Sequence, residues 1–214
     1  MITNFYNKLF SHFGISESEF IQYGISETIF PDKNKAYDDW KQKKEDFLRK
    51  RNGNFYIRSD KEERWSKAYN IIFEGTSVNI DKTKNSEPTR ILESATNFRK
   101  KGTPYTCAHI FGKTCNFMLF STLFNICFIP DLYAPFSDTT SKKSFVHEQF
   151  RKMLLEKVKM EYGDIINEYN LFIREHCIQK IEDYISELSK LENLNRSDKR
   201  FIYDFRKQWE EIEV

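Results

Sequence analysis

Three side chains in the middle of the chain have the chemistry to move a proton or hold a cation: His109, Asn125 and His147, the last followed by Glu148. An imidazole with an ordinary pKa of about 6.5 accepts a proton near neutral pH, so a histidine at the end of an apolar run is a candidate general base. A carboxamide within an apolar run must find hydrogen-bond partners or cost about 1–3 kcal/mol, which makes Asn125 either a polar anchor of the core or a site residue. Asn116 is a second amide that could take the same part. Cys107, His109, Cys115 and Cys127 form a rival set of four zinc-competent ligands within twenty-one residues, but only Cys107-Ala108-His109 supplies a close pair and structural zinc sites normally use two. The plainer reading of the thiols is as small buried apolar residues.

Elements on either side must position these groups. Residues 105–130 hold two runs rich in aromatic, β-branched and thiol residues, Tyr105–Phe111 and Phe120–Ile129, separated by a stretch that begins Gly112-Lys113-Thr114. The pattern predicts two strands. Pro130 and Pro135 punctuate a following loop that extends through Ser141, and an amphipathic stretch predicts a helix over Phe145–Tyr162 that Gly163 should break. Upstream, helices are predicted over residues 4–13, 16–23, 34–50 and 62–73, with a short strand at Phe55–Arg58. Residues 76–90 are polar and contain Pro88, the composition of a loop or mobile linker. Downstream, helices are predicted over 164–191 and 197–212, the latter capped by Ser197. The expected fold class is α+β, predominantly helical around a small β-hairpin-plus-helix core. Residues 1–90 would form a helical N-terminal region, 91–163 the core, and 164–214 helices packing on it.

The succession strand, loop, strand, helix, with His109-Ile110 at the first strand end and Asn125-Ile126 in the second run, resembles the HNH, or ββα-metal, nuclease family. The resemblance covers residues 104–150, about a fifth of the chain. It implies that His109 deprotonates water and that Asn125 orients the histidine or supports a metal. His147 would be a metal ligand on the helix and Glu148 a weaker one. It also implies a divalent ion, Mg²⁺ with Mn²⁺ or Zn²⁺ as alternatives, binding the scissile phosphate and steadying the leaving oxygen. Ala108 stands where many members carry an acidic ligand, Tyr133 and Ala134 stand where the third ligand usually falls, and CxxC pairs are absent. His147 joins the pattern only if residues 130–143 form an inserted loop.

Charge is nearly balanced, 34 basic against 32 acidic residues for a net +2, which excludes a global basic field. Positive charge gathers locally upstream of His109, and Arg99, Lys100, Lys101 and Lys113 are the expected phosphate contacts. With 214 residues the chain can bury a substantial core without disulfides, and four irregularly spaced cysteines point to free thiols in the reducing cytoplasm. The N-terminal residues lack a continuous apolar run, and the longest such run, Phe117–Ile129, is short of the roughly 20 residues a membrane helix requires, so no membrane association is expected. Together these readings predict a metal-dependent DNA endonuclease of restriction or phage-defence type, with its helical flanks selecting substrate or forming a homodimer. The alternative is a non-catalytic, helix-rich nucleic-acid-binding or protein-interaction module, with or without a structural zinc.

Overall fold

Short polar side chains set the helix starts. In the computed structural model, which describes residues 8, 10–50, 55–58, 63–81, 85–137, 144–191 and 194–213, Ser16 opens α1 (Glu17–Ser26) through a reciprocal capping box with Glu19. Asp32 caps α2 (Lys33–Leu48) by accepting from the Asn34 and Lys35 N–H groups. The expected helix over residues 4–13 lies partly outside the described residues, and Ser59 and Asp60, candidate caps by residue type for the helix expected over 62–73, lie wholly outside them.

Strand β1 (Phe55–Arg58) pairs in parallel with β2 (Val78–Asp81), and α3 (Glu63–Ile72) crosses between them. Thus residues 76–90, expected to be a loop or linker, instead supply β2 and the start of α4 (Ser86–Thr96). Their polar groups are spent internally: the buried Asp81 carboxylate accepts from Ser86 Oγ and the Glu87 N–H, and Ser66 Oγ donates to the Val78 carbonyl. Pro88 lies in the first turn of α4, where a missing N–H costs no helical bond.

The expected hairpin is present. Strand β3 (Tyr105–His109) runs antiparallel to β4 (Ile126–Pro130), with Tyr105 opposite Pro130 and His109 opposite Ile126. Its second strand begins six residues later than predicted, because residues 116–125 form buried turns and a 3₁₀ turn at Leu123–Asn125. Polar side chains there bind nearby backbone and divert it from the ladder. Asn116 Oδ1 accepts from the Met118 N–H, Thr122 Oγ1 donates to the Met118 carbonyl, and Asp39 of α2 accepts from the Leu123 N–H. Buried Lys43 pairs with the half-buried Asp39 at 2.5 Å, and its Nζ also donates to the Ser121 carbonyl, which fastens this turn to α2.

A four-residue helix α5 (Ala134–Ser137) follows the hairpin, and then α6 spans Phe145–Ile173, capped by Ser144. Gly163 does not break it. The buried stripe Val158, Tyr162, Ile165, Ile166 and Tyr169 straddles the glycine and outweighs the roughly 1 kcal/mol that glycine costs a helix. Helix α6 therefore passes straight through the boundary expected at 163/164, and a π-helical turn, Arg174–Ile178, leads into α7 (Gln179–Ser189). Helix α8 (Arg196–Gln208) is capped by Asn195 rather than Ser197, with Asp198 completing a capping box. One hydrophobic cluster runs from Phe10 to Ile212 and draws on all three expected regions. No helix among the described residues is long and apolar enough to cross a membrane.

A Cβ added at Gly163 meets no atom within 4 Å, and its φ is helical. Gly163→Ala should therefore stabilise the protein by about 0.5–1 kcal/mol, raising the melting temperature in calorimetry by a few degrees. A fall would show that this helix needs flexibility at residue 163.

Candidate functional site

His109 ends β3, and its surroundings fix its protonation. Nε2 lies 2.8 Å from the Phe120 carbonyl oxygen, and the imidazole stacks on the Phe120 ring at 5.1 Å and 16°. A carbonyl only accepts, so Nε2 carries the proton and Nδ1 is the basic nitrogen. Burial pushes the pKa down to about 4, so the ring is neutral at pH 7. Such a histidine binds fewer protons folded than unfolded. Its contribution to stability is complete above about pH 6.5 and is lost as the pH falls from there through 4. Allowing for the ring's partial exposure, the loss between pH 7 and 4 should be about 2 kcal/mol, measurable as a smaller acid destabilisation of His109→Gln in denaturant titrations.

Asn125 is fully buried and its carboxamide is occupied. Oδ1 accepts from the Phe111 N–H at 2.9 Å, and Nδ2 donates to the Leu119 carbonyl at 2.9 Å. The side chain pins both limbs of the loop that presents the Phe120 carbonyl to His109, and so acts on the imidazole through backbone rather than by touching it. Asn116 is likewise a buried anchor, donating to Tyr169 Oη and the Gln208 carbonyl. His147 is buried in the first turn of α6, edge-on to Phe136 at 6.4 Å, and Glu148 is exposed.

His109 borders a cleft of about 930 Å³ that neither Asn125 nor His147 lines. The structure therefore does not bring the three expected residues to one cavity. Among the described residues, no group of three or more His, Cys, Asp or Glu could hold a metal ion. The ligand set implied by the resemblance does not fit these side chains. The four-ligand zinc alternative is divided by the pleat: Cys127 stands opposite Ala108, on the other face of the hairpin from Cys107 and His109. Burial pushes the Cys107 thiol up to about 12 and raises that of Cys127 as well, so both are neutral thiols at pH 7.

Among the described residues the cleft is basic, lined by Arg58, Lys113, Arg200 and Lys207 against one acid, Asp204. Arg58 is held at the end of β1, whose N–H donates to the Thr114 carbonyl. Helix α8 buries Phe201 and Phe205 against Trp65 at 5.3 and 5.1 Å, which turns Arg200 and Lys207 outward. Lys113 donates to the Glu210 carbonyl, and burial pushes its pKa down to about 8. Residues 208–212 lie across the loop that follows His109. Gln208 Oε1 accepts from the Cys115 N–H, and the Ile212 backbone exchanges two bonds with the Asn170 amide.

Of the phosphate contacts expected from sequence, only Lys113 lines the cleft. Arg99, Lys100 and Lys101 precede β3 at the end opposite His109, roughly 13 Å away along a five-residue strand, and Arg99 pairs with Glu93 at 3.4 Å. Sequence reasoning missed Arg58, Arg200 and Lys207. The one available signal was the seven-residue spacing of the last two, which places them on a common helix face.

Fold and site together define a predominantly helical α+β protein with a basic cleft beside a strand-end histidine. The chain belongs to the family described as "Uncharacterised protein PM1201", which it matches over residues 31–214, a span that contains the whole cleft. It is 30% identical over 201 residues to Uncharacterized protein PM1201 of Pasteurella multocida (strain Pm70), covering 88% of each chain. No solved structure matches it.

Proposed function

We propose that the protein binds DNA along the basic cleft and hydrolyses a phosphodiester there, with His109 as general base. One observation carries this reading: a neutral imidazole of fixed tautomer borders a cleft where the described residues present four cationic side chains and one acid. Arg58, Lys113, Arg200 and Lys207 would hold phosphate oxygens and offset the negative charge that builds on them. Attacking water would give its proton to Nδ1 as its oxygen bonds to phosphorus, the P–O bond to the leaving sugar oxygen would break, and that oxygen would take a proton from solvent; the anionic backbone, once bound, would raise the histidine pKa from about 4 toward neutrality. Four buried, free thiols support a reducing compartment.

The test is strand scission. Purified protein should cut supercoiled plasmid or single-stranded circular DNA in at least one of EDTA, Mg²⁺, Mn²⁺ and Zn²⁺. Intact DNA in every arm would remove the hydrolase reading. A second reading, nucleic-acid binding without cleavage, is favoured by the engagement of both polar atoms of the buried Asn125 amide on backbone groups. It expects a retarded band in gel shifts with no scission, and absence of any shift would remove both readings.

A further inference from the structure

We infer that the cleft takes a single strand rather than a duplex, with Tyr203 at its rim as the platform on which a base stacks. The inference rests on the DNA reading above and names the substrate class of that site. Three observations carry it. The first is size: a volume of about 930 Å³ is that of a cube roughly 10 Å on edge, at the top of the range for small-ligand pockets. The major groove of a duplex alone is about 12 Å wide, so a whole duplex cannot enter while one strand can. The second is depth. His109 is half-buried with its ring flat on Phe120, so a reacting phosphate must be carried inward by an extended chain.

The third is the wall that α8 presents. Arg200 and Lys207 line the cleft, and Tyr203 lies three residues from one and four from the other, on the same helix face. Over roughly 10 Å of helix the order is cation, aromatic, cation. Tyr203 is 57% exposed, and Lys207 Nζ sits 4.8 Å from its ring centroid. A positively charged groove with an accessible aromatic ring is the arrangement by which proteins hold unpaired strands, the cations tracking phosphates and the ring taking a base face of any sequence. Asp204, the acid on this wall, lies 3.7 Å from Arg200, and Lys207 is hydrogen-bonded to Tyr203, so cation and ring sit together at this rim.

The experiment is fluorescence anisotropy on the full chain in EDTA, using a fluorescein-labelled single strand of roughly 15 nucleotides and its duplex at the same salt. The single strand should bind at least about tenfold more tightly. Tyr203→Ala should weaken single-strand binding by roughly tenfold or more, while Tyr203→Phe, which keeps the ring, should bind like the parent. Because the side chain is exposed, both variants should keep the parent's melting temperature. Equal or tighter duplex binding, or an unchanged affinity in Tyr203→Ala, overturns the inference while leaving DNA binding intact. If the parent binds neither probe, the DNA reading fails with it.

Discussion

Replacing His109 with alanine should lower strand scission by about 10²–10⁴-fold, the usual contribution of a positioned general base, while DNA affinity changes little because the cations remain. His109→Gln is the sharper variant. Its amide N–H can still donate to the Phe120 carbonyl, but it has no basic nitrogen, so the local fold is kept and the same loss of rate is expected. In the parent, kcat/KM should fall as the pH drops through about 4, since the base must be unprotonated, and that acid limb should vanish in the glutamine variant. Unchanged scission in both variants would show that the proton goes elsewhere. A loss of DNA binding equal to the loss of rate would show that His109 acts in binding.

Phe117→Ala should be the most destabilising single change, at about 3–5 kcal/mol. The ring is fully buried, with centroids of Phe55, Tyr69, Phe73 and Trp209 at 5.2, 4.9, 5.5 and 5.3 Å. These neighbours come from β1, from α3 and the residue just beyond it, and from the segment after α8, so they cannot collapse together into the space left behind. For a chain of this size the melting temperature should fall by roughly 10 °C in calorimetry. The side chain also anchors the loop whose Phe120 carbonyl holds His109, so scission should fall at temperatures where the variant is still folded. A cost below about 1 kcal/mol would mean that the site relaxes freely and the aromatic cluster is loosely packed.

The hairpin, the strand-end position of His109 and most helices were legible in the sequence, because alternation, amphipathic spacing and capping residues are local signals. The errors share a different cause. Asp81 and Ser86 make residues 76–90 look solvated, yet their polar groups are used within the fold, and Ser66 of α3 donates to the Val78 carbonyl there. Gly163 signalled a break that the buried stripe of α6 overrides. Asn125 was correctly singled out as an amide that must be satisfied, but whether backbone or substrate satisfies it depends on a loop conformation set by Asp39 and Lys43, far away in sequence. The cleft was hardest to foresee. Adjacency to His109 favoured Arg99 to Lys101, whereas Arg58, Arg200 and Lys207 reach the site only through parallel pairing of β1 and the packing of α8 on Trp65.

The bond between Cys115 and Gln208 joins positions 93 residues apart. A ribosome releases the histidine and its hairpin long before the segment that braces the adjoining loop, and closing so long a span is slow compared with forming local helices. Nascent chains, and fragments cut short ahead of Gln208, would thus carry the imidazole without its finished surroundings. Any reactivity toward the cell's own DNA would be withheld until synthesis had passed that point.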